Sequence, residues 1–361
     1  MLDLYESYNL TYWMKLNMKS IIIHSAYDLR VENYPIEEMD ENQIEINISK
    51  GGVCGTDLHY YQDGGFGSIK LKEPMILGHE VSGHISKIGK KVNNFKEGDL
   101  VAISPSRPCN YCKYCTQGIH TQCLNMRFYG SAMPYPHIQG AFREKLIANP
   151  SQCVLANGIS PGEAAMAEPL SVCLHAASKA KNMFGKKVLI IGSGPIGTLC
   201  TLIVKNAGAS HITVTDIQDN SLFFAKKIGV DELINTRKSP DSLNIYKEDK
   251  GNFDITFECS GSQNGLKDAI DSTKPYGTLI QVGLGGDPTF PLVPFTAKEL
   301  TLKGSFRFHL EFPLAIDLMQ KGIINVKPFI THTFKLDEAE EAFKMALNPD
   351  EKSMKTQIKF K

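Results

Sequence analysis

The chain has 361 residues, 42% of them apolar and 22% charged, with 39 basic and 39 acidic side chains and a formal charge of +0. That length exceeds a single typical core and predicts two domains. The balanced charge gives no electrostatic ground for nucleic acid or an anionic membrane as a partner, and no run of about 18 apolar residues is present to cross a bilayer. Nine cysteines, with Cys109, Cys112, Cys115 and Cys123 clustered, and no signal-peptide pattern ahead of them, point to metal before disulfides. The setting they imply is reducing and cytoplasmic.

Residues 1–17 carry three tyrosines and the single tryptophan, Trp13, without helix or strand period, basic n-region or small-residue cleavage site. The sequence starts afresh at Met18, so Met18 is the expected native start and 1–17 an N-terminal extension. From there to about residue 150 short β-runs are broken by Gly and Pro, with the clearest at 21–24, 43–49, 80–88, 100–103 and 141–148. Ile44, Ile46 and Ile48 alternate with polar residues, the period of a half-buried strand. Turn signals such as Lys96-Glu97-Gly98-Asp99 separate the runs. This predicts a β-rich, barrel-like domain of antiparallel strands, with Cys54 and His79 at strand-to-loop transitions.

Between about 185 and 306 the pattern changes to alternating strand and helix. Strands are predicted at 187–192, 211–216, 253–259, 277–283 and 300–304, and helices at 195–207 and 221–228. Such βαβ alternation implies an α/β domain, a doubly wound parallel sheet with helices on both faces. Helices at 312–322 and 337–347 follow, and a last strand at 356–360 is expected to return to the first domain. The division expected is 18–168 with 307–361 for the β-rich domain and 169–306 for the parallel-sheet domain.

Gly192-Ser193-Gly194-Pro195-Ile196-Gly197 fits G-x-G-x-x-G, following an apolar strand and opening a helix, the context this motif requires. Gly192 permits the tight turn, Gly194 lets a pyrophosphate approach the backbone, and Gly197 lets helix and strand pack closely. The N-terminus of that helix, at Pro195 and Ile196, offers free N–H groups to the anion. Asp216 ends the next strand, where its carboxylate would accept from the adenosine ribose and repel a 2′-phosphate. No arginine or lysine follows it until Lys226, so NAD is expected over NADP.

Cys109, Cys112, Cys115 and Cys123 have the spacing C-x2-C-x2-C-x7-C. Four thiolates so placed can wrap one tetrahedral zinc; two disulfides or an iron–sulfur cluster fit less well. Cys54, His79 and Glu80 supply a mixed sulfur, nitrogen and oxygen set, which suits a zinc with a fourth position open to substrate. Each of the three alone reads as a buried thiol, a turn histidine or a solvated charge; together they read as a centre. Glu168, just before the second domain, can approach that metal or cap the following helix. Arg307 falls near the expected domain junction, where it can pair with Glu168 or grip a substrate oxyanion.

With Gly78-His79-Glu80, Cys54-Gly55-Thr56-Asp57, the four-cysteine lobe and the glycine loop, residues 18–361 resemble the zinc-dependent medium-chain dehydrogenase family. Asp57-Leu58-His59-Tyr60-Tyr61 and Glu168-Pro169-Leu170-Ser171-Val172 are similar to its polyol branch, that of sorbitol dehydrogenase. Ser104 to Cys109, Met126 to Met133, Pro136-His137 and Gly304 to Phe308 resemble the L-idonate 5-dehydrogenases within it. The resemblance implies a GroES-like catalytic domain, a Rossmann domain, and a homo-oligomer, tetramer or dimer. It implies two zincs per subunit, one catalytic on Cys54, His79 and Glu80 with Glu168 nearby, and one structural on the four cysteines. Thr56 and His59 match a proton relay and Arg307 a polyol-binding arginine. For a sugar-acid carboxylate, Arg127 or Arg307 and Ser131 are the candidates, with Tyr60 beside them. The implied reaction is reversible hydride transfer between L-idonate and NAD. The alternatives are the same chemistry on sorbitol, xylitol or threonine, and a non-catalytic NADH-binding relative.

Overall fold

The computed structural model describes residues 17–360. The expected extension therefore lies outside the described residues, apart from Asn17, which begins the first strand, Asn17–Ser25. The chain forms two compact units. One runs to Glu168 and takes in His332–Leu347 and the chain from Thr356; the other holds Pro169–Thr331 and Asn348–Lys355.

In the first unit a seven-stranded sheet is centred on Ile44–Gly52. Its path runs Cys153–Leu155, Leu100–Ile103, Glu80–Ile88, Ile44–Gly52, Lys355–Lys359 and Ile330–Lys335, with Lys145–Ala148 also pairing with Ile44–Gly52. The pairings around Ile44–Gly52 are antiparallel. A second, three-stranded sheet orders Asp28–Pro35, Asn17–Ser25 and Met75–Ile76. Ile44, Ile46 and Ile48 are fully buried, as their alternation requires. They share a core with Phe142, Phe343, Ile358 and Phe360. Burying Phe343 and Ile358 gives a physical reason for the C-terminal segments to return to this unit.

The antiparallel β-rich reading holds, but its details differ. Cys54 follows the end of the strand Ile44–Gly52, as expected, and is also the N-cap of a helix, Gly55–Asp63, that the β-period conceals. The strand expected at 141–148 is shorter, Lys145–Ala148. Around Ala141 to Glu144 the backbone bonds instead to Gly78, Leu77 and Lys19. Asp28–Pro35 was not anticipated, because its half-exposed side chains carry no alternation.

The second unit is a six-stranded, all-parallel sheet. Its order is Glu232–Asn235, His211–Asp216, Lys187–Ile191, Phe253–Glu258, Thr273–Gln281 and Thr301–Gly304. Numbered along the chain this is 3-2-1-4-5-6, the Rossmann order, and its switch point lies beside the first strand. The helix Gln263–Ser272 escapes a pattern search because it is mostly polar, although Ser262 caps it and Leu266, Ala269 and Ile270 form its buried stripe. The helix Glu311–Gln320 belongs here and not with the β-rich unit as expected. Glu311 accepts from His175 Nδ1 at 2.8 Å and so ties that helix to Ala167–Lys179.

Candidate functional site

The first site is set by strand register. Ile44–Gly52 pairs with Glu80–Ile88 so that Gly52 lies opposite Glu80. Cys54 is two residues beyond Gly52 and His79 one before Glu80, so pairing the strands brings the three side chains together. One donor atom from each of Cys54, His79 and Glu80 lies within 4.8 Å of the others. Gly52 is required by this approach: a Cβ there would sit 2.2 Å from Glu80 Oε2. His79 and Glu80 are buried, and His79 Nδ1 has no hydrogen-bond partner.

Asp57 organises the cluster, a role the sequence reading quoted in a motif but did not assign. It is fully buried. Its Oδ2 accepts from Cys54 N at 3.1 Å and its Oδ1 from Gly78 N at 3.2 Å. Oδ1 also stands 3.7 Å from His79 Nδ1. One carboxylate thus fixes the start of the Cys54 helix and the loop carrying His79. Such outer carboxylates orient a ligating imidazole. The signal in the sequence is the capping box: Asp57 is three residues past the N-cap Cys54.

Thr56 and His59 follow on the same helix, three residues apart and therefore on one face. His59 Nδ1 is 3.1 Å from Asp63 Oδ2 and is half-exposed. Phe128 packs its ring 5.6 Å from that of His79. Arg127, the preceding residue on the short strand Arg127–Phe128, is exposed, and strand alternation sends it to the face away from Phe128. Ser131 is buried, and its Oγ accepts from Met133 N at 3.3 Å. Tyr60 is 2% exposed, and its hydroxyl accepts from Ala132 N at 3.0 Å, which makes it a support for that loop. Glu168 is buried in the first turn of Ala167–Lys179 and lies outside the group of three mutually close donors.

The second cluster is local. The sulfurs of Cys109, Cys112, Cys115 and Cys123 all lie within 4.8 Å of one another, and among the described residues no cysteine forms a disulfide. Cys109 Sγ and Cys115 Sγ are 4.0 Å apart. Tetrahedral zinc with Zn–S bonds of about 2.3 Å needs sulfurs about 3.8 Å apart, so the lobe fits such an ion. The backbone N–H groups of Cys115 and Leu124 hold the Cys112 thiol down to about 6, while burial pushes Cys115 up to about 12.

The glycine loop lies in the other unit. Gly192 has φ +87°, and a Cβ there would meet Ser260 N at 2.9 Å. A Cβ on Gly197 would sit 1.8 Å from Gly192 O. At Gly194 nothing lies within 4 Å, so the space above the helix Pro195–Asn206 is open, as a pyrophosphate requires. Asp216 accepts from Ser193 N at 2.6 Å and Gln218 N at 2.8 Å. Burial pushes its carboxyl up against these donors. Gly192 and Asp216 line a cleft of about 550 Å³ that also receives Arg237, a cation the sequence reading did not consider. Arg307, in the same unit, has φ +55° and its guanidinium lies 4.9 Å from the centre of the Phe306 ring.

Residues 40–158 match the alcohol dehydrogenase GroES-like domain and residues 195–321 the zinc-binding dehydrogenase domain. L-idonate 5-dehydrogenase (NAD(P)(+)) of Escherichia coli K12 is 38% identical over 92% of this chain and 96% of its own. The crystal structure of L-idonate 5-dehydrogenase from E. coli K-12 MG1655 superposes with a TM-score of 0.90 over 95% of this chain and 98% of that one. Human sorbitol dehydrogenase is 36% identical over 91% of this chain and 92% of its own. An alcohol dehydrogenase of E. coli CFT073 complexed with NADH is 25% identical, with a TM-score of 0.85 over 95% of this chain and 99% of that one. The mixed-donor cluster, the thiol lobe and the dinucleotide cleft agree with these matches, and the chain belongs to the polyol branch of the zinc- and NAD-dependent medium-chain dehydrogenases.

Proposed function

We propose that the chain is an L-idonate 5-dehydrogenase, oxidising the C5 hydroxyl of L-idonate to give 5-keto-D-gluconate. The observation that carries the chemistry is the mutual approach of Cys54, His79 and Glu80, organised by Asp57. The identity of 38% to the E. coli enzyme supports the substrate.

Cys54, His79 and Glu80 would hold the catalytic zinc, with Glu168 as the further carboxylate near it. Zinc bound there supplies a Lewis acid that makes a substrate hydroxyl easier to deprotonate. Thr56 receives the hydroxyl proton and passes its own to His59, since a hydroxyl both donates and accepts. Asp63 Oδ2 lies 3.1 Å from His59 Nδ1, and the half-exposed ring gives the proton a path to solvent. Gly192, Gly194, Pro195, Ile196, Gly197 and Asp216 would hold NAD, which supplies the hydride acceptor. The four-cysteine lobe would hold the second zinc as a closed structural site. Arg307 is the first candidate for the substrate carboxylate or hydroxyls; Arg127 and Ser131 come after it because Arg127 faces away from Phe128. The protein is expected to be a cytoplasmic homo-oligomer, tetramer or dimer; among the described residues no helix is long and apolar enough to cross a membrane.

A neutral polyol such as sorbitol or xylitol is the second reading, favoured by the 36% identity to human sorbitol dehydrogenase. Initial rates of NADH formation with L-idonate and with sorbitol, in zinc-replete protein, separate the two. Faster turnover of idonate is expected. Faster turnover of sorbitol would retain the zinc and hydride chemistry and overturn the sugar-acid substrate.

A further inference from the structure

We infer that Glu258 is a positioning residue of the dinucleotide site, one that holds the loop after its own strand against the glycine loop; this rests on the reading of the glycine loop and Asp216 as the cofactor cleft. Glu258 ends Phe253–Glu258, the fourth strand of the parallel sheet along the chain, and is fully buried. Its Oε1 accepts from Ser260 N at 2.9 Å, from Gly261 N at 3.1 Å and from Ser260 Oγ. Its Oε2 accepts from Gly261 N at 3.0 Å and from Gln281 Nε2 at 2.6 Å. Every one of these partners donates, which suits a carboxylate and no amide. The helix Gln263–Ser272 also starts beside it: a Cβ on Gly265, in the first turn, would meet Glu258 Oε1 at 2.8 Å. The N-terminal end of a helix favours a negative charge placed there.

The loop that Glu258 holds is a wall of the cleft. Ser260 and Ser262 line it together with Gly192 and Asp216. Ser260 stands directly against the glycine loop, since a Cβ on Gly192 would meet Ser260 N at 2.9 Å. Gly261 is clamped from the other side: a Cβ on Gly285 would sit 1.9 Å from Gly261 O. Gln281 Nε2, already bonded to Glu258, donates to Gly283 O at 2.9 Å as well. Glu258 therefore joins the loops after the fourth and fifth strands into one piece, and that piece backs the turn at Gly192.

Glutamine has the shape of glutamate but only one acceptor oxygen, and its NH2 group would face donors fixed in the backbone. In Glu258→Gln the loop has to draw away from Gly192, and the cleft loosens. A side chain that only filled space would be replaced by glutamine without consequence for binding. One that only stabilised the fold would lower the melting temperature and leave the folded protein's affinity as it was. The mixed cluster lies in the other unit and shares none of these residues, so the loss falls on cofactor binding.

The test is fluorescence titration of the zinc-loaded protein with NADH, joined to the melting temperature and to initial rates at varied NAD with the faster of L-idonate and sorbitol. Glu258→Gln should raise the NADH dissociation constant and the KM for NAD about tenfold or more. Its kcat at saturating NAD should change by less than about threefold. Gln281 lies outside the residues lining the cleft. Gln281→Ala should still raise the NADH dissociation constant about threefold, and the double variant should add little to Glu258→Gln, because both changes act through one carboxylate. An unchanged NADH dissociation constant in folded Glu258→Gln, or a fall in kcat as large as the rise in KM, would overturn the inference. Should Glu258→Gln not fold, an unchanged constant in Gln281→Ala would overturn it. Binding of no dinucleotide by folded wild type would remove the cofactor-cleft reading itself and the inference with it.

Discussion

The two metal-type clusters sit in the same unit and are built in opposite ways. Cys54, His79 and Glu80 come from the ends of two paired strands and a helix, and their approach depends on the register between Gly52 and Glu80. The four cysteines lie within one short stretch and are bonded within it: Cys109 N donates to Cys123 Sγ at 3.2 Å and Asn125 Nδ2 to Cys109 Sγ at 3.6 Å. The first cluster is held by the folded core, whereas the second has almost no core and needs an ion to hold its loop. A centre placed by long-range pairing can keep one position open without collapsing, while a local all-thiolate lobe is stable only when closed.

The largest expected effect breaks the first cluster. Cys54→Ser should empty that metal position and lower kcat/KM by about a thousandfold or more. The far-ultraviolet circular dichroism should be unchanged, because Cys54 is only partly buried and outside the core. Next is Asp57→Asn, which keeps the shape and removes the charge behind His79; metal affinity or rate should fall about 10–100-fold, measured by competitive chelation. Gly52→Ala tests the register argument, since its methyl would displace Glu80 Oε2. It should cost the mixed site zinc while the thiol lobe retains its own, as metal analysis would show.

The contrasting change is Cys112→Ser. It should remove one zinc per chain and open residues 109–123 to proteolysis, while turnover falls by less than about tenfold because the mixed cluster does not rest on that loop. Loss of both zincs together would show that the two clusters are coupled. The smallest effect is expected at Arg127. Its side chain is exposed on the face away from Phe128, so Arg127→Ala should change the Michaelis constant for L-idonate by less than about twofold. A tenfold rise would make Arg127 the carboxylate partner after all.

This contrast also accounts for what the sequence reveals. The cysteine lobe is legible as spacing, because its ligands are neighbours in the chain. The glycine loop and Asp216 are legible because each motif residue has a local job: a turn, a close approach, a strand end. The mixed cluster is legible through the resemblance of its motifs more than through spacing, since strand register is what unites it. The helix carrying Thr56 and His59 is hidden, because Tyr60 and Tyr61 do not give it a helical stripe that stands out from the β-rich surroundings. Arg237 is missed for a related reason. It lies 21 residues beyond Asp216 along the chain, yet just past Asn235, the residue paired with Asp216 in the next strand of the sheet. A search along the chain for a cation after Asp216 ends at Lys226 and cannot see across a parallel sheet.

The central claim is that a mixed-donor zinc on Cys54, His79 and Glu80 does the chemistry while an all-sulfur zinc holds the lobe. Zinc content and zinc K-edge absorption of the wild type and of Cys54→Ser, with turnover recorded on the same samples, test it most directly. The account predicts two zincs per chain averaging about 2.5 sulfur neighbours each in the wild type, and one zinc with about four sulfurs and no turnover in the variant. A wild type that turns over with a single, all-sulfur zinc would contradict it.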